Sequence, residues 1–366
     1  MTRAGSRTVA LFLLLVAWPT AGTAGEDVWT GVDRVIAVGD VHGDYDQFVA
    51  VLRSADLIDA GGKWTGGKTH LVQTGDILDR GSDSRKAMDL LMRLEEEARQ
   101  AGGAVHALIG NHEAMILYGD FRYLSRGEVD AFRDADSEKA REELYKEHQR
   151  SFPEGTAPKF DDAYRKRWEG DNPLGFAEFR RAFGPQGKYG KWIRGHNAVI
   201  QIDGTLFLHG GISPGFADWT VRKINDRVRG ELEDFTRLEG GIVQREDGPL
   251  WYRGLAQGDE KTLQEHLRKV LFNYKVERIA IGHTFTEGAI TPRFDGKVLM
   301  IDVGLSRFYD EKGRKACLLI EKGKPYALHR GKRVDLPWNS ERDLQRYVQQ
   351  TGELDREARS APGPKK

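Results

Sequence analysis

The sequence predicts an α/β protein built on parallel strand–helix–strand units, and three features predict it. Short apolar strands recur, and each runs into a glycine and a polar side chain. Helical stretches separate the first three of these strands, the pattern of parallel βαβ connections. The residues delivered at the strand ends are carboxylates, amides and imidazoles, groups that make a site together and little else. Ligands of such sheets bind at the carboxyl ends of the strands, where these residues would collect.

The elements follow in order. Arg3 and Arg7 precede an unbroken apolar run from Val9 to Trp18, then Pro19 and the small residues of TAGTAGE. This is the three-part pattern of a secretory signal, residues 1–24, with a cut expected after Ala24. The run falls short of the ~20 residues a bilayer span requires. Export to the periplasm or beyond is expected, with no stable membrane anchor after cleavage. RVIAVGDVHGD gives a strand from Arg34 and delivers Asp40 and His42; a helix is predicted from Tyr45 to Ala55. HLVQTGDILDRG delivers Asp76. A second helix is predicted from Ser84 to Gln100, with Ser82 or Asp83 as its N-cap and Gly102 just past its end. VHALIGNHE delivers Asn111 and His112, TLFLHGG delivers His209, and RIAIGHT delivers His283.

Between the third and fourth clusters, residues 119–191 turn helical, charged and rich in aromatics, including Phe121, Tyr123, Tyr164, Trp168, Phe176, Phe179 and Tyr189. A helical lid or cap is expected there, inserted into a main domain of residues 25–338. KVLMIDVG, KACLLIEKG and PYALHR read as consecutive antiparallel strands. Residues 339–366 are expected to form a last helix, from Ser340 to Gln350, and a disordered tail, SAPGPKK.

Composition narrows the function. Acidic and basic residues balance at 56 each, which argues against a surface for nucleic-acid polymers. Cys317 is the single cysteine, so no internal disulfide can form and the core must carry the stability. Asp40, His42, Asp76, Asn111, His209 and His283 are hard oxygen and borderline nitrogen donors. Without thiolate, that set suits two ions such as manganese, iron or zinc. Paired ions ~3.5–4 Å apart promote in-line attack at phosphorus.

GDVHG, GDILDRG, GNHE and HGGISP, with a late GH, occur in that order. Together they resemble the PPP class of calcineurin-like metallophosphoesterases over Arg34 to about Asp302, and most of all its bacterial Shewanella-like protein phosphatase branch. The resemblance implies a two-sheet β-sandwich core flanked by helices. It implies that Asp40 and His42 bind one metal, that Asp76 bridges, and that Asn111, His209 and His283 bind the other. His112 would be the general acid, oriented by Asp79. Arg80 would fork onto phosphate, with Arg253, Arg194 and Asn111 as further phosphate contacts. The tyrosine motif of the eukaryotic serine/threonine enzymes is missing, and VGLSRFYD stands in its region. The substrate is therefore read as phosphoprotein, on tyrosine or on serine and threonine, or a small phosphate ester. Hydrolysis of nucleotides such as dinucleoside polyphosphates is the alternative. A binding module that only keeps the fold would have lost ligands, and none is missing.

Overall fold

The structure is a computed structural model that describes residues 26–360 apart from 287, 312 and 339. The secretory signal and the terminal tail expected from the sequence lie outside the described residues. In chain order the elements begin with β1 (Val28–Trp29), β2 (Arg34–Val38), α1 (Tyr45–Ser54), β3 (His70–Gln73), α2 (Ser84–Gln100), β4 (Ala104–Ala107) and α3 (Asn111–Tyr118). The insertion adds α4 (Arg126–Asp130), α5 (Ser137–Arg150), α6 (Asp162–Asp171), α7 (Phe176–Phe183) and α8 (Lys188–Arg194). Then come β5 (Val199–Ile202), β6 (Thr205–Leu208), α9 (Val221–Glu233), α10 (Gly254–Gln257), α11 (Glu260–Tyr274) and β7 (Arg278–Ile281). The chain continues with β8 (Thr291–Arg293), β9 (Val298–Met300), β10 (Ala316–Glu321), β11 (Lys324–His329), β12 (Lys332–Asp335) and α12 (Glu341–Ser360).

Two six-stranded mixed sheets form, in the orders β1-β5-β6-β7-β9-β8 and β12-β11-β10-β2-β3-β4. In the second, β2, β3 and β4 are parallel, with Ile36 opposite Leu71 and Leu71 opposite Val105. In the first, β6, β7 and β9 are parallel, with Leu206 opposite Ile279 and Ile279 opposite Val298. Ile36, Leu71, Leu206 and Ile279 are completely buried within one continuous apolar core that draws on both sheets. Such strands have no solvent face, which is why their sequences are apolar runs and not alternations.

The helices follow local rules. The side chain of Asp44 accepts the Gln47 N–H at 3.2 Å and starts α1. α2 lays Ala87, Met88, Leu91 and Leu94 into the core at helical spacing. α12 runs ten residues past the predicted end. The buried Tyr347 and Thr351 hold its first half, and Asp355 reaches back to His329 and Arg330. The strands of KVLMIDVG, KACLLIEKG and PYALHR, which are β9, β10 and β11, are not one antiparallel series. β10 and β11 do pair antiparallel, but β9 belongs to the other sheet and lies parallel to β7. A loop of fifteen residues, 301–315, lets the chain change sheets between β9 and β10.

Many of the aromatics of the insertion form its own core, whereas Tyr123 is exposed. Phe132, Phe176, Phe179, Phe183 and Tyr189 are buried on one another, and Tyr145 and Trp168 are buried in a second group with His148 and Tyr164.

The two sheets abut at their carboxyl ends, where small residues let the backbones touch. Gly75 has φ +97°, and a Cβ there would lie 2.5 Å from the Gly110 nitrogen and 3.1 Å from His209 Nδ1. Both the conformation and the space demand glycine. Gly75→Ala should lower unfolding free energy by roughly 1–3 kcal/mol in a urea titration, the usual cost of overpacking; an unchanged midpoint would contradict this packing.

Candidate metal centre

Each predicted ligand leaves its strand within a few residues of the end. β2 delivers Asp40 and His42, β3 Asp76, and β4 leads into Asn111 and His112 at the start of α3. β6 delivers His209 and β7 His283. All are buried. Asp76 is the hub: its Oδ2 lies 3.2 Å from His209 Nε2, and 3.7 Å from both His42 Nε2 and His112 Nε2. His42 Nε2 is 3.8 Å from Asp40 Oδ2. His209 Nε2 is also 2.8 Å from Asn111 Oδ1 and 3.1 Å from His283 Nδ1. Two donor groups emerge that could each hold an ion, one of His42, Asp76 and His112 and one of Asp76, His209 and His283, and Asp76 is common to both.

Hydrogen bonds fix which ring nitrogens face inward. His42 Nδ1 donates to the Leu78 carbonyl at 3.0 Å and His209 Nδ1 to the Thr74 carbonyl at 2.9 Å. Each Nε2 is thereby left with a lone pair aimed at other lone pairs, the arrangement by which a backbone carbonyl orients a metal-binding histidine. His283 Nε2 is buried without a hydrogen-bond partner. Burial holds His42 down to about 3 and His283 down to about 2, so both are neutral and able to coordinate. Burial alone would raise Asp76, but His209, His112 and His42 bring its carboxyl well below the usual range. Asp40 is pushed up by burial and then by Asp302 and Asp76. Buried carboxylates and imidazole lone pairs converging on one spot are costly unless a cation joins them. The residues therefore fit two metal ions, and no thiol competes for them: Cys317 lies in β10, its thiol pushed up to about 12 by burial.

Beside this cluster His112 Nδ1 meets Asp79 Oδ2 at 2.5 Å. Burial works against a charged His112, but Asp76 and Asp79 outweigh it and raise its pKa, which favours the protonated ring. Arg80 Nη2 is 3.5 Å from His112 Nε2, and its Nη1 donates to the Tyr309 hydroxyl. Arg253 stands at the other side, with Nη1 on the His283 carbonyl at 2.7 Å and on Thr284 Oγ1 at 3.0 Å. Glu113 stabilises the turn, accepting the Asp76, Ile77 and Gly110 N–H groups at 2.7, 2.8 and 2.8 Å.

Arg194 does not join them. Its Nε donates to the Leu232 carbonyl at 2.9 Å and its Nη1 points at the Phe183 and Gly184 carbonyls, so it caps the ends of α9 and α7. A buried guanidinium between two helix C-termini has its hydrogen-bonding capacity taken by carbonyls.

The structure adds residues that the motifs did not name. Asp302 is buried against Asp40, and burial raises it to about 6. It follows β9 just as Asp40 follows β2, so the strand-end rule could have found it in LMIDVG. Tyr123, Phe308 and Tyr309 surround the Arg80 guanidinium at 5.4, 5.6 and 5.2 Å, and Phe285 stacks on Tyr309 at 5.4 Å. His42, Asp76, Asp79, Arg80 and His283 all adopt positive φ, a conformation that persists at such residues only where the surroundings enforce it.

Comparison with known proteins agrees with the geometry. Residues 33–286 match the family model described as calcineurin-like phosphoesterase. An uncharacterised protein of Schizosaccharomyces pombe is 31% identical over 82% of this chain and 82% of its own length. Shewanella-like protein phosphatase 2 of Arabidopsis thaliana is 29% identical over 75% of this chain and 72% of its own. The crystal structure of a cold-active protein-tyrosine phosphatase from a psychrophilic Shewanella species superposes with a TM-score of 0.62 at 27% identity, covering 85% of this chain and 83% of that one.

Removing metals with a chelator should abolish aryl phosphate hydrolysis, and manganese should restore it. Asp76→Asn should reduce both metals bound per chain and cut turnover by more than the ~100-fold that loss of a merely orienting group costs. Two metals retained at near-normal turnover would show that Asp76 does not bridge.

Proposed function

This chain belongs to the calcineurin-like phosphoesterase family, and from that premise we propose that it is an exported phosphatase acting on phosphoprotein, with aryl phosphate esters as its best substrates. It is a metal-dependent enzyme with two ions. Asp40, His42 and Asp76 would hold one, and Asp76, Asn111, His209 and His283 the other. When bound, such ions polarise the phosphoryl oxygens and acidify the attacking water. Arg80 binds the phosphate oxygens from one side with a planar fork suited to them, and Arg253 and the Asn111 amide contribute from the other. His112 gives the leaving oxygen its proton, and Asp79 holds the ring with that proton facing the substrate.

The observation that supports an aryl ester is the rim. Tyr123, Phe285 and Phe308 are 43%, 42% and 62% exposed, while most other aromatics of the described residues are buried or half-buried. Tyr123 and Phe308 stand against the guanidinium that would hold the phosphate, and Phe285 stacks on Tyr309, the third ring beside it. A tyrosine ring carrying that phosphate would lie among them, and an aromatic pair contributes about 0.5–1.5 kcal/mol beyond its buried area. Named relatives act in the same sense: one is called a protein-tyrosine phosphatase, another a Shewanella-like protein phosphatase.

The signal pattern of residues 1–24 supports export, and among the described residues no helix is long and apolar enough to cross a membrane. The mature protein is read as unanchored, with no affinity for nucleic-acid polymers. N-terminal sequencing of protein from fractionated cells should find a chain beginning at Gly25 outside the cytoplasm; an intact Met1 in the cytoplasm would refute export.

A panel of phosphotyrosine and phosphoserine peptides and a dinucleoside tetraphosphate, with manganese, tests the substrate class. Phosphotyrosine should lead. Phe308→Ala should lower kcat/KM for that peptide roughly 2- to 12-fold, the equivalent of one aromatic contact, and leave phosphoserine unchanged. A preference for the dinucleotide would replace this reading with the nucleotide one.

A further inference from the structure

The insertion reaches back to the metal centre at its first turn, and there it places a buried carboxyl that has no part in the roles above. Glu128, on α4, is 1% exposed, and its Oε1 accepts the Asp79 N–H at 3.1 Å. Asp79 and the next residue, Arg80, both have φ +69°. Each such left-handed residue costs about 1–3 kcal/mol and needs surroundings that hold it. Both N–H groups of this strained pair go to the insertion: Asp79 to Glu128, and Arg80 to the Tyr123 carbonyl at 3.1 Å. Ser125 Oγ, the N-cap of α4, donates to the Gly81 carbonyl at 2.5 Å. Gly127 lies so near Ser82 that a Cβ would come within 2.3 Å of Ser82 Oγ. α4 is therefore fitted against the turn that carries Asp79 and Arg80.

The sequence Ser125-Arg126-Gly127-Glu128 is a capping box, in which the glutamate ordinarily serves only its own helix start. Here it also reaches 49 residues back along the chain, to the one backbone N–H on the Asp79 side of the proton-donating pair. We propose that Glu128 is a positioning residue for His112: by holding the Asp79 N–H it fixes the left-handed turn that sets Asp79 Oδ2 on His112 Nδ1. The proposal rests on the reading of His112 as the acid. Burial, reinforced by the neighbouring Asp79, raises Glu128 to about 8, so at neutral pH it is a neutral acid that places no second negative charge beside Asp79. Glutamine keeps that neutrality and the accepting oxygen; alanine removes both.

The test compares Glu128→Ala, Glu128→Gln and His112→Asn on a phosphoserine peptide and on p-nitrophenyl phosphate, whose leaving group needs little protonation. Glu128→Ala should lose about 10- to 100-fold in kcat on the peptide, the range for groups that orient an active residue. It should lose clearly less on the nitrophenyl ester, with KM and bound manganese unchanged. Glu128→Gln should stay close to wild type. His112→Asn should show the same bias at about 10²–10⁴-fold. Equal losses on both substrates for Glu128→Ala, or a glutamine variant as impaired as alanine, would overturn the positioning role while leaving His112 as the acid. Absence of bias in His112→Asn would overturn the acid reading itself, and the proposal with it. Should Glu128→Ala fail to fold, Glu128→Asp, one methylene too short to reach Asp79, takes its place under the same criteria.

Discussion

Asp76 is a carboxylate buried among three imidazoles and beside other carboxyls, and the rest of the site is arranged so that this can be tolerated. Its own N–H is taken by Glu113, and its carbonyl accepts the N–H groups of Val41 and His42, each at 2.9 Å. Its second carboxylate oxygen accepts the His112 N–H at 3.0 Å. The turns after β2, β3 and β4 are thus bonded to one another through a single residue. A charge held this way keeps its ionised form without water, and it makes the spot between the imidazole lone pairs attractive to cations.

Most of the ligand set is legible because its members obey a local rule: an apolar run that ends beside a glycine and a functional side chain. Asp40, Asp76, Asn111, His209 and His283 need no knowledge of the fold to be picked out. Asp302 stands two residues past β9 as Asp40 stands two past β2, but no glycine adjoins it, and the exchange of sheets between β9 and β10 leaves no mark in the sequence. Arg194 shows the reverse error. WIRG carries an arginine near a glycine, yet its position at two helix ends is set by how α7, α8 and α9 pack.

Long-range features were the least legible. Nothing in LDRG says that two consecutive residues must be left-handed, and nothing in SRGE says that its glutamate serves a turn 49 residues earlier. The aromatic wealth of the insertion pointed at a cleft because composition cannot tell a lining from a core. Most of those rings pack on each other, and of the three rings against Arg80 the insertion supplies only Tyr123, while Phe308 and Tyr309 come from the loop after Asp302.

The split origin of the ligands has a consequence for the life of the protein. One sheet supplies Asp40, His42, Asp76 and Asn111; the other supplies His209, His283 and Asp302, whose carboxyl faces Asp40 across the junction. Burial and neighbouring carboxylates push both the Asp40 and Asp302 carboxyls toward the protonated form. Ions held by this set would take ligands from both halves and so link them. Loading and sheet docking are then one linked equilibrium, in which each tenfold rise in free metal above its Kd adds about 1.4 kcal/mol to folding stability. The metal supply of its surroundings would set how long the folded chain survives as well as how fast it works.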